Sequence, residues 1–199
     1  MAIYLIRHGE TVGNATRVVQ LPDAPLSPAG IVQADALARR LASAGIVRIR
    51  ASDLVRARMT AAALASATGA PVQIDADLAE RNYGDIRGTP YAALGVDIFG
   101  PDYAPPGGET WDTFHARVDR AWQRIVGTAM DDPGHLAVVT HGLVCRAIAL
   151  RHLDLPPGTE APLHWGNTAL TIVDGTPPTI VRLLGCTAHL ATRPAGADV

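Results

Sequence analysis

Two stretches of this chain share one grammar, and that repetition constrains the fold more than anything else in it. Ile3-Tyr4-Leu5-Ile6 is an apolar run of strand type that stops at Arg7-His8-Gly9. Leu136-Ala137-Val138-Val139-Thr140 runs apolar in the same way and stops at His141-Gly142. A strand that is apolar at consecutive positions is covered on both faces, as in a mostly parallel sheet with helices on either side. Each run ends in an imidazole followed by a glycine, which lets the backbone turn sharply. Ligands of open α/β sheets gather at the carboxyl ends of strands, so two such tips predict one site built from both.

The rest of the chain alternates in keeping with that frame. Residues 10–26 are polar and irregular, a loop long enough beside a strand tip to be functional. Ser27-Pro28 opens a helix whose stripe is Ile31, Ala34, Ala38 and Leu41, and Gly45 stops it. Residues 46–51 read as a second strand, and Ser52-Asp53 as the cap of an alanine-rich helix running to Gly69. A third strand is expected over 71–74, then a glycine-punctuated loop over 77–88. Residues 89–108 are rich in proline and glycine, carry no basic side chain, and suggest a short lid.

The firmest helix is 110–130, with Trp111, Phe114, Val118, Ala121, Ile125 and Ala129 on one stripe and Asp132-Pro133-Gly134 as its stop. A helix over 143–153 follows the second histidine. Residues 169–173 and 179–184 pair around Gly175-Thr176-Pro177-Pro178. The expectation is a three-layer α/β/α domain with a mostly parallel central sheet, one domain over 1–191, and a disordered tail over 192–199. No repeat and no domain linker is visible.

Composition narrows the chemistry. All 17 basic residues are arginine, which excludes a P-loop lysine, a Schiff-base lysine and a kinase lysine together. Arginine must therefore handle any anion, and its planar fork suits phosphate or carboxylate. A net charge of -2 gives no sign of a nucleic-acid or membrane partner. Cys145 and Cys186 have neither disulfide nor metal spacing. No signal peptide fits ahead of the first strand, and no apolar run approaches the roughly 20 residues of a membrane span. A cytoplasmic enzyme is expected, of unspecified oligomeric state.

Five residues at strand-to-loop junctions carry the chemistry: Arg7, His8, Arg56, Glu80 and His141. Arginines around a neutral imidazole make a phosphate clamp with a nucleophile inside it, the guanidiniums holding oxygens while nitrogen attacks phosphorus in line. A carboxylic acid nearby would protonate the leaving oxygen and later take a proton from water. No metal or other cofactor is required. Singly, each has a plainer reading: a strand-end histidine is usually structural, and Arg56 with Arg58 could be a solvated helix face. Their joint occurrence in this order lifts the functional one.

The order also resembles a known family. Arg7-His8-Gly9-Glu10-Thr11 with Asn14 is similar to the opening signature of the histidine phosphatase superfamily, the phosphoglycerate mutase-like fold. Leu26-Ser27-Pro28-Ala29-Gly30, the stretch from Ser52 to Ala61 bearing Arg56, Leu78-Ala79-Glu80-Arg81-Asn82-Tyr83-Gly84 with Gly88, Gly107-Gly108-Glu109-Thr110 and Val139-Thr140-His141-Gly142 resemble its later landmarks. The resemblance implies that His8 is the phosphorylated nucleophile. Arg7, Arg56 and His141 would clamp the phosphoryl group, helped by Asn14 and the amide of Leu143, and Glu80 would donate the proton. Thr11, Gln20, Tyr83 and Gly142 complete the implied substrate contacts, and Asn167 matches a position near the site floor. Leu21 stands where the family often has glycine after Gln20. His115, His135, His152, His164 and His189 match no motif and read as surface or structural.

The implied activity is metal-independent hydrolysis of a small phosphorylated metabolite. A phosphoglycerate mutase is the alternative, since Glu80 to Gly84 resembles the mutase form of the acid loop. Against it, nothing basic lies between Arg87 and Arg117, and Asp97, Asp102 and Glu109 are expected to repel a second anionic end. A metal hydrolase using His8, His141 and Glu80 is disfavoured by the adjacent arginines. A non-catalytic phospho-ligand-binding module is disfavoured because nucleophile and acid are both kept.

Overall fold

The computed structural model describes residues 1–129, 134–175 and 179–191. A six-stranded sheet runs through it in the order β3-β2-β4-β1-β5-β6. The strands are β1 (Ala2–Arg7), β2 (Ile46–Ala51), β3 (Val72–Ile74), β4 (His135–Thr140), β5 (Leu170–Asp174) and β6 (Val181–Cys186). The four from β3 to β1 are parallel to one another, and β5 and β6 add antiparallel partners at one side. The two histidine-bearing strands are neighbours, in a register that sets Arg7 opposite Thr140.

The helices are α1 (Val12–Thr16), α2 (Pro28–Leu41), α3 (Val55–Thr68), α4 (Trp111–Ala129) and α5 (Gly142–His152). Alternation along the strands explains how they layer. Ile3, Leu5, Leu136 and Val138 pack with Phe114, Val118 and Ile125 of α4 and Val144 and Ile148 of α5. Ile6, Ala137 and Val139 pack with Leu37 and Leu41 of α2 and Ala57, Ala61 and Leu64 of α3. The result is the expected α/β/α sandwich, each fully buried aliphatic side chain contributing roughly 1.5–3 kcal/mol.

Several local expectations need revision. The 10–26 loop contains a one-turn helix, α1, closed by a reciprocal capping box between Thr11 and Asn14. Asn14 was legible as a ligand contact but not as a capping residue. The cap of α3 is Leu54, with no side-chain cap hydrogen bond; Ser52 Oγ accepts from the Leu54 amide at 3.2 Å and also lies 2.8 Å from His141 Nε2. Ile31 is 46% exposed; the buried face of α2 is Gly30, Ala34, Leu37, Ala38 and Leu41. The predicted stop at Asp132-Pro133, the turn at Thr176-Pro177-Pro178 and the tail over 192–199 lie outside the described residues.

The Leu26–Gly30 motif has a steric cause. Ser27 caps α2 by accepting from the Gly30 amide at 3.0 Å, and its hydroxyl donates to Glu10 Oε1 at 2.8 Å. This presses the first turn of α2 onto the loop leaving β1. A Cβ at Gly30 would lie 2.0 Å from the Glu10 carbonyl oxygen, a backbone atom that cannot swing away. Gly30→Ala is therefore expected to destabilise the protein by about 3 kcal/mol or more. Urea unfolding checks this; a loss under about 1 kcal/mol would mean the contact yields freely.

Candidate active site

Strand parity puts the two imidazoles together. Ile6 and Val139 face the α2/α3 layer, so His8 and His141, two positions further on in each strand, return to that side. Their ring centroids lie 5.0 Å apart, and both residues are buried. The His8 amide donates to the Thr140 carbonyl at 2.9 Å, which continues the β1–β4 ladder one residue past the strand end. The Gly9 amide donates to Thr60 Oγ1 on α3 at 3.1 Å.

The hydrogen bond of His8 fixes its tautomer. Nδ1 lies 2.6 Å from the Gly9 carbonyl oxygen, and a carbonyl can only accept, so Nδ1 carries the proton. Nε2 is left with the lone pair. Burial, with Arg7 and Arg56 beside the ring, holds the His8 pKa well below its ordinary 6.5. Near neutrality the imidazole is uncharged and its free nitrogen keeps its lone pair. His141 is likewise pushed well down, first by burial and then by Arg56. Its Nε2 is 2.8 Å from Ser52 Oγ, and its Nδ1 is buried without a hydrogen-bond partner.

Cationic groups ring the imidazoles. Arg7 donates through Nη1 to the Trp165 carbonyl, and its Nε is buried and unpartnered. Arg56 is 3% exposed, donates to the Leu21 carbonyl at 3.1 Å, and also has a buried, unpartnered Nε. Burial lowers its pKa to about 10, against the opposing pull of Glu80, so it stays charged. Arg58, two residues further on and so on the opposite side of the helix, is exposed. The helix thus points one arginine inward and one to solvent.

Glu80 is the carboxylate of the site. Burial raises its pKa, opposed by the Leu143 amide, Arg56 and the Arg81 amide. Oε2 accepts from the Leu143 amide at 3.3 Å and Oε1 from the Arg81 amide at 3.2 Å. The Leu143 amide, read from the sequence as a phosphoryl contact, is therefore engaged by the acid. Its position in the first turn of α5 explains this, since first-turn amides have no partner inside their own helix.

The other expected residues divide into those facing the cleft and those behind it. Arg7, His8, Asn14, Gln20, Arg56, Glu80, Tyr83, Gly142 and Leu143 line a cleft of about 260 Å³. Asn14 Oδ1 accepts from the Thr11 amide and from Asn167 Nδ2, both at 3.2 Å, which leaves its own Nδ2 as the donor for a ligand. Thr11 is fully buried and acts as a brace, its hydroxyl 2.8 Å from Gln20 Oε1. Asn167 bonds the His8 carbonyl at 3.3 Å as well as Asn14, so it supports the site from below.

Sequence reasoning marked the 10–26 loop and the 89–108 segment but not which of their side chains form the outer wall. Arg17, Arg87, Tyr91, Phe99, Leu163, His164 and Trp165 also line the cleft. His164, read as surface or structural, is exposed but lies on that wall. His189 stands behind it, 2.9 Å from Thr168 Oγ1, while the Thr168 amide donates to the His8 carbonyl. Local sequence pointed to a functional loop and a lid, but no apolar period singled out which side chains in them turn toward the cleft.

The expected acidic repulsion is not there. Asp97, Asp102 and Glu109 are absent from the cleft wall. Glu109 is paired with Arg117, Oε1 to Nε at 2.6 Å and Oε2 to Nη2 at 2.8 Å, and also accepts from the Asn82 amide. Arg81 is spent as well: its guanidinium donates to the carbonyls of Ile98, Tyr103 and Glu109 and lies 3.8 Å from the Trp111 ring centroid. These two arginines hold the acid loop and the 98–109 segment in place. Among the described residues no group of three His, Cys, Asp or Glu side chains could hold a metal ion, and no helix is long and apolar enough to cross a membrane.

Comparison with known proteins gives the same picture from outside. The family model described as histidine phosphatase superfamily (branch 1) matches residues 3–183. A Yersinia enterocolitica protein named probable phosphoglycerate mutase GpmB is 32% identical over 208 residues, covering 96% of this chain and 95% of that one. Bacillus stearothermophilus YhfR superposes with a TM-score of 0.81 at 29% identity, over 96% of this chain and 99% of that one. Mycobacterial glucosyl-3-phosphoglycerate phosphatase Rv2419c, solved with VO3, superposes with a TM-score of 0.76 at 29% identity, over 92% and 96%.

Proposed function

This chain belongs to the histidine phosphatase superfamily, and from that membership we propose that it hydrolyses small phosphomonoesters through a phosphohistidine formed on His8. The observation that carries the reading is the 2.6 Å bond from His8 Nδ1–H to the Gly9 carbonyl, which leaves Nε2 free between two arginines. Nε2 attacks phosphorus as the ester P–O bond breaks. Arg7, Arg56 and His141 supply donors to the phosphoryl oxygens, with Asn14 Nδ2 beside them. Glu80, its pKa raised by burial, passes its proton to the leaving alkoxide. The resulting carboxylate takes a proton from water, which attacks phosphorus and releases inorganic phosphate and His8. Tyr83, Gln20 and Gly142 line the same cleft.

Mutase activity is the second reading, favoured by the relative named a probable phosphoglycerate mutase. A mutase must retain the dephosphorylated intermediate and keep water from the phosphohistidine. Here the outer wall includes Phe99 at 45% and Leu163 at 70% exposure, which leaves the alcohol side open to water. That openness supports hydrolysis. With 3-phosphoglycerate and catalytic bisphosphoglycerate, phosphate release is expected to exceed enolase-coupled formation of 2-phosphoglycerate by at least about tenfold, a partition of about 1.4 kcal/mol. Mutase turnover with phosphate release as a minor leak would reverse the assignment.

A further inference from the structure

The outer half of the cleft combines features that the phosphoryl chemistry does not use. Phe99 and Leu163 come from separate segments, and of the twelve large apolar side chains left exposed among the described residues they are the two that line the cleft. Tyr91 backs Phe99 edge to face, ring centroids 6.0 Å apart at 87°. Large exposed apolar side chains gathered at a site mouth mark a surface that a ligand covers. Arg17 and Arg87 line the same wall, and among the described residues neither forms an ion pair or hydrogen bond with a carboxylate. The Arg17 guanidinium lies 5.8 Å from the Tyr91 ring centroid, which keeps it over the aromatic wall.

A phosphoryl group is already matched by Arg7 and Arg56. The two further guanidiniums exceed what a simple phosphomonoester neutralises, and a wholly polar metabolite would leave Phe99 and Leu163 wet. We propose that the alcohol portion of the substrate is an apolar or aromatic body lying against Tyr91, Phe99 and Leu163 and bearing a second negative charge met by Arg17 and Arg87. This rests on the reading of the inner site as the place where phosphate is held. It departs from phosphoglycerate, which has the charge but no apolar body.

Four alkyl phosphates of similar leaving-group basicity separate the two features: ethyl phosphate, 3-phosphoglycerate, 2-phenylethyl phosphate and the phosphate ester of 3-hydroxy-2-phenylpropanoate. The last is expected to have the highest kcat/KM, exceeding ethyl phosphate by about a hundredfold, from roughly tenfold each for ring burial and a charge-assisted contact. Phe99→Ala should erase the advantage of the phenyl group, and Arg87→Gln that of the carboxylate. A merely structural role would scale all four substrates alike. Equal kcat/KM across the series, or 3-phosphoglycerate as the best of the four, overturns the proposal.

The inference stands or falls separately from the catalytic reading. Calorimetric binding of the same esters to His8→Ala needs no turnover, and the same affinity order is expected there. A protein that hydrolyses none of the four but binds them in this order supports the substrate class and defeats the phosphatase assignment. One that hydrolyses all four without preference does the reverse.

Discussion

Replacing His8 with alanine is expected to lower turnover of any phosphomonoester by on the order of 10⁴-fold or more, the scale at which a nucleophile's removal disables a covalent mechanism. The fold should survive, since among the described residues the only side-chain hydrogen bond lost is Nδ1–H to Gly9, worth about 1 kcal/mol. Brief incubation of wild type with labelled substrate should leave acid-labile, base-stable label on the chain, and His8→Ala should leave none. The tautomer argument adds a pH test. A folded-state pKa well below 6.5 means the ring loses its proton at a lower pH than an exposed histidine. The acid-side fall in kcat should therefore lie well below pH 6.5. Retention of more than about a tenth of wild-type activity in His8→Ala, with label still bound, would move the nucleophile elsewhere.

Glu80→Gln should separate two kinds of substrate. An alkoxide needs a proton to leave, whereas p-nitrophenolate leaves unaided, so alkyl phosphates should slow by about 10²–10⁴-fold and p-nitrophenyl phosphate by far less. The sign of the pH dependence follows from burial. With its pKa raised, the protonated acid persists above the usual carboxylate range, and alkyl-phosphate turnover falls as pH rises through the shifted value. That alkaline limb should vanish in the glutamine variant. Equal losses on both substrates would make Glu80 a structural residue.

How much of this was legible in the sequence depended on whether the signal was local. The histidine-bearing strands were read to within a residue at each end, because apolar runs and their breakers are written consecutively. The pairing of His8 with His141 followed from two tips of the same kind, and strand parity supplies its cause. Ser52 was misread because a hydroxyl before a helix is usually a cap, and only the neighbouring strand brings His141 within 2.8 Å of it. Glu109 was misread as a free charge for the same reason: Arg117 lies eight residues on, and their pairing depends on where the acid loop folds. Arg17, Arg87, Phe99 and Leu163 meet only in the folded chain.

The bond from the Leu143 amide to Glu80 has a consequence for timing. That amide steadies the carboxylate anion and so holds the acid's proton affinity in check. A phosphoryl oxygen arriving at the mouth of α5 competes for the same hydrogen. If it wins, Glu80 loses a stabiliser of its charged form and grips a proton more tightly at the moment one is needed. Burial already raises the Glu80 pKa with the amide bond in place, and losing that bond would raise it further, so an arriving phosphoryl group would strengthen the hold on the proton it is expected to need.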